Sequence, residues 1–429
     1  MSGLWRTLLD VSVAKICHML LGVIALSVTA RYLGPEGRGT IATVTTWVRF
    51  FAVVLYLNLG QIAVHKAASK ALKDSSWLVE FTGVITIYLP IASLIGWLVM
   101  GILTFGRLNP FGEVNPVWLW CGFAFLPFFI ISNYSDYIFS PLGQLSRLNR
   151  WLVIWQALSV LLLVITVAIL DMGVGTALLI TMLGFAIPNA QAARYVLLNT
   201  RFKRIAIPDF VSYLKSAAPL QIGAISTFLF SSGGTLVMSH YRGETETGIY
   251  QLGTQVISMI MVLPYTAAMV IYGKIATEGA RGPWHSHRKM IIQVMTVVMS
   301  GAGLVWLSAS FWITLLAGER FLPLLQVFHL QIMSLIGMIF GAMIAPQWIA
   351  RGFLKTISVI SVLIGVFSLM ANLVFIPEYG MMAASWASFA ASMLVFAVSL
   401  GMFLYCEKDW RSHNEMDRLA RGNEVETSR

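Results

Sequence analysis

Uncharged apolar runs of about twenty residues recur along almost the whole of this 429-residue chain. A helix of about twenty apolar residues spans the hydrocarbon core of a bilayer. Charged residues make up only 11% of the sequence, whereas soluble globular proteins carry about 25%. We therefore predict a polytopic membrane protein, and the length does not indicate two or three soluble domains.

Charged residues, prolines and glycines divide the apolar sequence into about twelve predicted spans. They lie near residues 11–30, 40–60, 78–103, 117–139, 151–170, 175–198, 216–239, 249–273, 290–317, 323–346, 357–376 and 381–405. The connections between them are short, and none is expected to hold a folded domain. The predicted fold class is an all-α polytopic membrane protein.

The distribution of positive charges predicts the orientation. The chain has 29 Lys and Arg against 19 Asp and Glu, a formal net charge of +10. Twenty-two of the 29 lie before the first span, in the even-numbered connections or after the last span, and five lie in the odd-numbered connections. Lys and Arg collect in cytoplasmic loops, so both termini are predicted to be cytoplasmic. No nucleic-acid partner is needed to explain the basic balance.

Two segments repeat at an offset of 209 residues. Residues 32–39 follow the first span and residues 241–248 follow the seventh, with Tyr, Gly and Gly at matching positions. Six helices per repeat give two six-helix lobes related by a parallel internal repeat, with an axis along the membrane normal. We expect lobes at residues 1–205 and 206–405, and a disordered cytoplasmic tail at 406–429.

The segment ARYLGPEGRG at residues 30–39 resembles the loop after the first helix in polysaccharide-biosynthesis flippases. These belong to the multidrug/oligosaccharidyl-lipid/polysaccharide exporter (MOP) superfamily. Residues 213–220 and 248–250 resemble the start of the second half in the same family. The residues that carry the loop motif are Arg31, Tyr32, Gly34, Pro35, Glu36, Gly37 and Gly39.

This resemblance implies a V-shaped two-lobe fold in the bacterial inner membrane. It also implies that the chain flips an undecaprenyl-diphosphate-linked oligosaccharide from the cytoplasmic to the outer leaflet by alternating access. The implied partners are this glycan, membrane lipids and the polysaccharide polymerase or export machinery.

A flippase needs cations for the diphosphate, and polar groups or aromatic faces for the sugars. Arg49 lies near the middle of the second span, too deep to reach the interface easily. We predict that Arg49 binds the diphosphate in a central cavity, with Trp47 beside it. The alternative is a structural arginine bonded to helix carbonyls or to a carboxylate.

Lys15 lies about one turn inside the first span, and His18 shares its helix face. Both are candidate substrate-binding residues, although Lys15 also fits a cation that reaches back to the interface. Asp136 and Glu80 are candidates for an ion pair or for coupling to H⁺ or Na⁺. Structural roles stay open for both carboxylates, since Glu80 opens the third span at a helix N-terminus.

No metal or other cofactor is predicted. Cys17, Cys121 and Cys406 are far apart in sequence, without the spacing of a zinc site or a disulfide framework. The segment Trp284–His287 has two histidines but no carboxylate or cysteine nearby. We expect a solvated loop there and not a metal site.

Two other classes of function stay open from the sequence. A cation-coupled drug exporter of the same fold would favour central carboxylates over central cations. A membrane enzyme of polysaccharide assembly would need paired carboxylates, a metal site or a large outer loop, and the predicted spans leave room for none. The chain also lacks a GxxxxGK[ST] phosphate loop, so we predict a transporter that is not an enzyme.

Overall fold

A computed structural model describes residues 2–62, 76–106, 109–200 and 207–427. Within these ranges every regular element is helical. The α-helices are α1 Ser2–Leu55, α2 Ser76–Phe105, α3 Pro116–Phe123, α4 Leu126–Phe139, α5 Leu145–Leu163, α6 Gly173–Asn199, α7 Ile207–Tyr241, α8 Gly243–Ile260, α9 Val262–Glu278, α10 Trp284–Leu307, α11 Ala309–Ala317, α12 Leu325–Ala350 and α13 Leu354–Thr427. A π-helical turn, Val164–Ile169, extends α5, and a 3₁₀-helix, Glu319–Leu324, leads into α12.

In the described part of the chain, nine helices are long and apolar enough to cross a membrane, and α3 and α4 form one further bent span. Two of the nine, Val13–Leu55 and Leu354–His413, are broken by non-helical backbone at Gly34 and Gly380. Each is long enough for two crossings, so the described residues supply twelve. The predicted all-α membrane fold is confirmed.

The chain reverses direction at Gly34, and the segments on either side of it line the same cavity. Gly34 has φ of 68°, a left-handed conformation in which a β-carbon is disfavoured. A left-handed glycine occurs in each of the six odd-numbered connections: Gly34, Gly112, Gly173, Gly243, Gly318 and Gly380. We call the side of the bundle formed by these connections the Gly34 face. The other side, with connections at Gly143, Gly279 and Gly352, is the Gly279 face.

Two large apolar cores form in the described residues. One core is built almost wholly from residues between Ile41 and Val196, and the other mainly from residues between Ile249 and Cys406. The exceptions join the halves: Leu26 and Ala30 of α1 pack into the second core, and Ala217 and Leu236 of α7 pack into the first. Because each lobe of a two-lobe protein is expected to have a hydrophobic core of its own, the two separate cores agree with the predicted lobes.

The region around Trp284 differs from the expected solvated loop. Trp284 and His287 are fully buried at the start of α10. The His287 ring bonds to the Met343 carbonyl at 2.8 Å and to the Gln347 amide at 3.0 Å. The indole of Trp284 donates to Glu407 at 3.0 Å. The partners of these polar groups lie on α12 and α13. Both helices are distant in sequence, so the residues around Trp284 could not by themselves predict the contacts.

The expected disordered tail also differs from the structure. Helix α13 continues past residue 405, and Glu407 and Asp409 contact arginines of the Gly279 face. Asp409 pairs with Arg281 at 2.9 Å and with Arg351 at 3.2 Å, and Glu407 pairs with Arg288 at 2.8 Å. The carboxylates of this segment neutralise arginines of two connections.

Candidate transport cavity

A cavity of about 1140 Å³ lies between the two halves. It reaches the Gly279 face, where Lys15, Ser140, Pro141 and Tyr272 line it. Toward the Gly34 face its lining ends near Thr29 and Arg38. The loop motif at residues 31–37 and its repeat at 242–248 are absent from the lining. The cavity is therefore accessible from one face and closed at the other.

Helical periodicity places one face of each wall helix toward the cavity. In the first segment of α1 the lining residues include Lys15, His18, Gly22, Ala25 and Thr29, and in the second they include Arg38, Ala42, Thr45 and Arg49. These spacings of three or four residues fall on a single helix face.

Arg49 presents an exposed side chain to the cavity from the middle of a span. Its guanidinium carbon lies 6.0 Å from the centroid of the Phe185 ring, which forms part of the same wall. Among the described residues Arg49 makes no hydrogen bond or ion pair. The structural alternative, an arginine bonded to a helix carbonyl or a carboxylate, does not describe this geometry.

Lys15, His18 and Asp136 also line the cavity. The Lys15 ammonium lies 3.5 Å from the Met269 sulfur, a contact between the two halves. Lys15 and Asp136 are close enough to interact electrostatically, although no ion pair within 4.0 Å joins them. The structure thus brings Arg49, Lys15, His18 and Asp136 to one cavity.

The second half contributes a neutral wall. Its lining residues in the described part of the chain are Phe228, Ser231, Ser232, Thr235, Gln251, Thr254, Gln255, Ser258, Met259, Val262, Tyr265, Met269 and Tyr272. These supply hydroxyls, amides, thioethers and aromatic rings but no charge. Every charged lining residue (Lys15, Arg38, Arg49 and Asp136) comes from the first half. Three cations against one carboxylate leave an excess of two positive charges.

The closure on the Gly34 face joins the repeated loops. A β-carbon added to Gly39 would clash with the backbone of Glu244, and one added to Gly248 would clash with the carbonyl of Pro35. The Thr40 hydroxyl donates to the Glu244 carboxylate between the same segments. Only glycine allows the two backbones to approach so closely.

Neighbouring contacts extend this closure. Arg31 donates to the carbonyls of Leu315 and Thr314, each at 3.2 Å. Glu246 accepts from Arg242 at 2.8 Å and from the backbone amide of Met381 at 2.6 Å. Of the other motif residues, Tyr32 and Glu36 are exposed on this face and Gly37 is buried.

Arg38 occupies a different place from the one its sequence position suggested. Arg38 belongs by sequence to an odd-numbered connection, yet its side chain is 8% exposed and lines the closed end of the cavity. It donates to Gln251 at 3.0 Å and also to Gln255. The signal was available in the spacing, because Arg38 precedes Arg49 by eleven residues, about three helical turns.

Two predicted site residues lie away from the cavity. Trp47 is buried in the first core, where its ring packs edge-on against Phe50 and Phe111. It is two residues from Arg49, and a step of two on a helix points to a different face, so the Trp47 side chain lies outside the cavity that Arg49 lines. Glu80 is half-buried near the start of α2 and does not line the cavity.

The family description "Polysaccharide biosynthesis protein" matches residues 4–276, which is more than half of the chain. The chain belongs to the polysaccharide biosynthesis protein family. The resemblance inferred from the loop motif is thereby confirmed. No curated protein matches the chain as a relative.

Three solved structures with a similar fold are described as a flippase and as transporters. The lipid II flippase MurJ in an inward closed conformation superimposes with a TM-score of 0.70 at 13% identity, covering 96% of this chain and 92% of that one. An inward-facing MATE multidrug resistance transporter of the MOP superfamily gives 0.65 at 13% identity, covering 92% and 99%. An outward-facing MATE transporter gives 0.56 at 15% identity, covering 96% of each. The twelve-helix, two-lobe architecture agrees with these neighbours.

Proposed function

We propose that this protein flips an undecaprenyl-diphosphate-linked oligosaccharide from the cytoplasmic to the outer leaflet of the bacterial inner membrane. The observation that carries the proposal is the charge asymmetry of the cavity. A cationic wall from the first half faces a neutral polar wall from the second half. The shared fold with a protein described as the lipid II flippase MurJ supports a lipid-linked substrate.

The chemistry of the two walls suits the two parts of this substrate. A diphosphate carries about two negative charges and forms strong charge-assisted hydrogen bonds with arginine and lysine. Arg49 and Lys15 would bind it from the first half, and the His18 ring would add a hydrogen bond. Sugars take neutral hydrogen bonds and aromatic faces, and Gln255, Ser258 and the ring of Tyr265 offer these in the second half.

The size of the cavity agrees with a large polar cargo. Pockets for drug-sized ligands measure about 300–1,000 Å³, and this cavity of about 1140 Å³ is larger. The polyprenyl tail would remain in the hydrocarbon core while only the headgroup enters. The positive excess disfavours drug cations, so cation-coupled drug export is the weaker alternative.

Orientation and lobe boundaries complete the proposal. The distribution of Lys and Arg assigns the Gly279 face, with both termini, to the cytoplasm. The cavity would then receive substrate from the cytoplasmic leaflet and release it after the Gly34 face opens. The moving units would be residues 1–205 and 206–405, which are related by an axis along the membrane normal and would rock against each other.

Membrane potential is the proposed driving force, supplemented by use of the product by a polymerase or export machinery. Moving about two negative charges outward across 100 mV, inside negative, gains roughly 4–5 kcal/mol. We propose no catalytic residue, because flipping makes and breaks no covalent bond. Coupling of H⁺ or Na⁺ at Asp136 is the alternative driving mechanism.

The deciding experiment is flipping in reconstituted vesicles. An undecaprenyl-diphosphate oligosaccharide with a fluorescent sugar is placed in both leaflets, and a membrane-impermeant glycosidase removes the outer fraction. Vesicles with the protein should replenish this fraction faster than protein-free vesicles. Ethidium uptake measured in parallel tests drug export. Ethidium transport without glycolipid flipping would replace the proposed function with the alternative.

A further inference from the structure

Arg38 is a buried guanidinium held only by neutral groups. It donates to the side-chain oxygens of Gln251 and Gln255, and more weakly to the Thr29 hydroxyl at 3.4 Å. Its Nε has no hydrogen-bond partner, and within the described residues it forms no ion pair. Burial of a cation without an anionic partner is unfavourable. The position is therefore suited to take up an anion.

The bonds of Arg38 join the two halves at the closed end of the cavity. Gln251 and Gln255 are four residues apart on α8, so their side chains share one helix face. Arg38 immediately precedes Gly39, which packs against the backbone of Glu244 at the start of the same helix. The arginine–glutamine bonds thus reinforce the backbone contact that closes the Gly34 face.

Arg38 also lies on the path from Arg49. Both line the cavity from one helix face, roughly 16 Å apart along the axis. Ala42 and Thr45 lie between them on this face. An anion that leaves Arg49 toward the closed end therefore meets Arg38 next among the cations of this helix.

We propose that Arg38 is a latch on the Gly34 face that is released when it binds the diphosphate of the substrate. The proposal rests on the proposed function and assigns a second anion-binding position to the same cavity. An arginine–phosphate pair is ionised on both sides and can form two parallel bonds, whereas the glutamine oxygens that Arg38 contacts are neutral. Arg38 therefore exchanges Gln251 and Gln255 for phosphate, and the loss of these bonds permits the closure to separate.

Inorganic pyrophosphate is the probe for this latch, with NaCl at matched ionic strength as the control. Spin labels are attached at Glu36→Cys and Thr245→Cys, two exposed positions on the Gly34 face that belong to different halves. Cys17, Cys121 and Cys406 are first replaced by Ala. Distances are measured by double electron–electron resonance in lipid nanodiscs, and pyrophosphate affinity by calorimetry.

In the otherwise unaltered chain, pyrophosphate should add a population at longer label distance. Arg38→Gln should show this population without pyrophosphate, no longer respond to it, and bind it roughly tenfold more weakly. Arg38→Lys, which keeps the charge, should still respond. Arg31→Gln is the matched control, because Arg31 contacts the same face outside the cavity; it should loosen the closure and keep the response.

Two results would overturn the latch. Bound pyrophosphate that leaves the distances unchanged would make Arg38 a purely structural link, as would an Arg38→Gln variant that responds like the parent. Both results leave the proposed function intact if pyrophosphate binding requires Arg49 and glycolipid flipping persists. A parent protein that binds no pyrophosphate and flips no glycolipid would remove the latch and the proposed function together.

Discussion

Gly248 packs against Gly39 so closely that a β-carbon on Gly248 would lie 2.8 Å from the backbone nitrogen of Gly39. The contact is reciprocal: Gly39 faces the carbonyl of Glu244, and Gly248 faces the carbonyl of Pro35. Gly39 and Gly248 occupy equivalent positions of the internal repeat at the 209-residue offset, and so do Pro35 and Glu244. The two copies of the repeat therefore meet each other across the axis that relates them, and their glycines are the contact points.

Gly248→Ala should prevent full closure of the Gly34 face. The added methyl would overlap the Pro35 carbonyl, and backbone atoms cannot move aside as a flexible side chain can. We expect flipping in vesicles to fall at least severalfold while the protein still inserts and accumulates. Gly401→Ala is the control, since a β-carbon there meets nothing within 4 Å. Equal flipping by the two variants would contradict the role of this contact.

Arg49→Ala should abolish most flipping. The substitution removes the accessible cation at mid-span, whose charge-assisted bonds contribute about 1.5–3 kcal/mol each. We expect at least a tenfold loss of rate, partial activity in Arg49→Lys, and unchanged amounts of protein in the membrane. Lys289→Ala, an exposed cation outside the cavity, should flip normally. Full activity of the alanine variant would remove Arg49 from the site.

Ser258→Asp should impair transport by placing a negative charge in the neutral wall. Ser258 lines the cavity from α8 and is exposed in it. Like-charge repulsion of the diphosphate should slow flipping severalfold, whereas the isosteric neutral variant Ser258→Asn should remain close to the parent. The two variants are compared in the same vesicle assay. A flipping rate of Ser258→Asp equal to that of the parent would indicate that the substrate anion does not approach α8.

An imposed membrane potential should change the flipping rate. With the Gly279 face inside and the interior negative, outward movement of about two negative charges should accelerate as the potential is raised by valinomycin and K⁺ gradients. Reversal of the gradient should slow it. If the rate follows a proton or Na⁺ gradient and ignores potential, coupling through Asp136 becomes the preferred mechanism.

Asp409→Asn should destabilise the protein. Asp409 pairs with Arg281 and with Arg351, whose side chain is only 8% exposed, so the substitution leaves a largely buried cation without its carboxylate partner. We expect a loss of about 1–3 kcal/mol, measured as a lower melting temperature in detergent. Arg411→Gln is the control, because Arg411 is 69% exposed where it pairs with Glu407 and such pairs contribute little. Equal melting temperatures would show that α13 is held by its apolar contacts alone.

Much of the fold followed from the sequence because membrane spans depend on local composition. Apolar length and the breaks between runs located twelve crossings, and the glycine-containing repeat predicted the two halves. Arg49, Lys15, His18 and Asp136 could be selected because each is a charged or titratable group within or near an apolar run. The sequence could not show whether Trp47 faces a core or a cavity, because aromatic side chains occur in both.

The sequence by itself determined that this chain crosses the membrane repeatedly, repeats itself once and carries cations where hydrocarbon would exclude them. Only the tertiary structure decided which helix faces meet. It placed the side chain of Arg38, which the sequence assigns to a loop, at the closed end of the cavity. It also brought Trp284 and Glu407 into contact although 123 residues separate them. Local hydrophobicity governs where a helix lies in the bilayer, but packing between distant segments governs which of its side chains share a site.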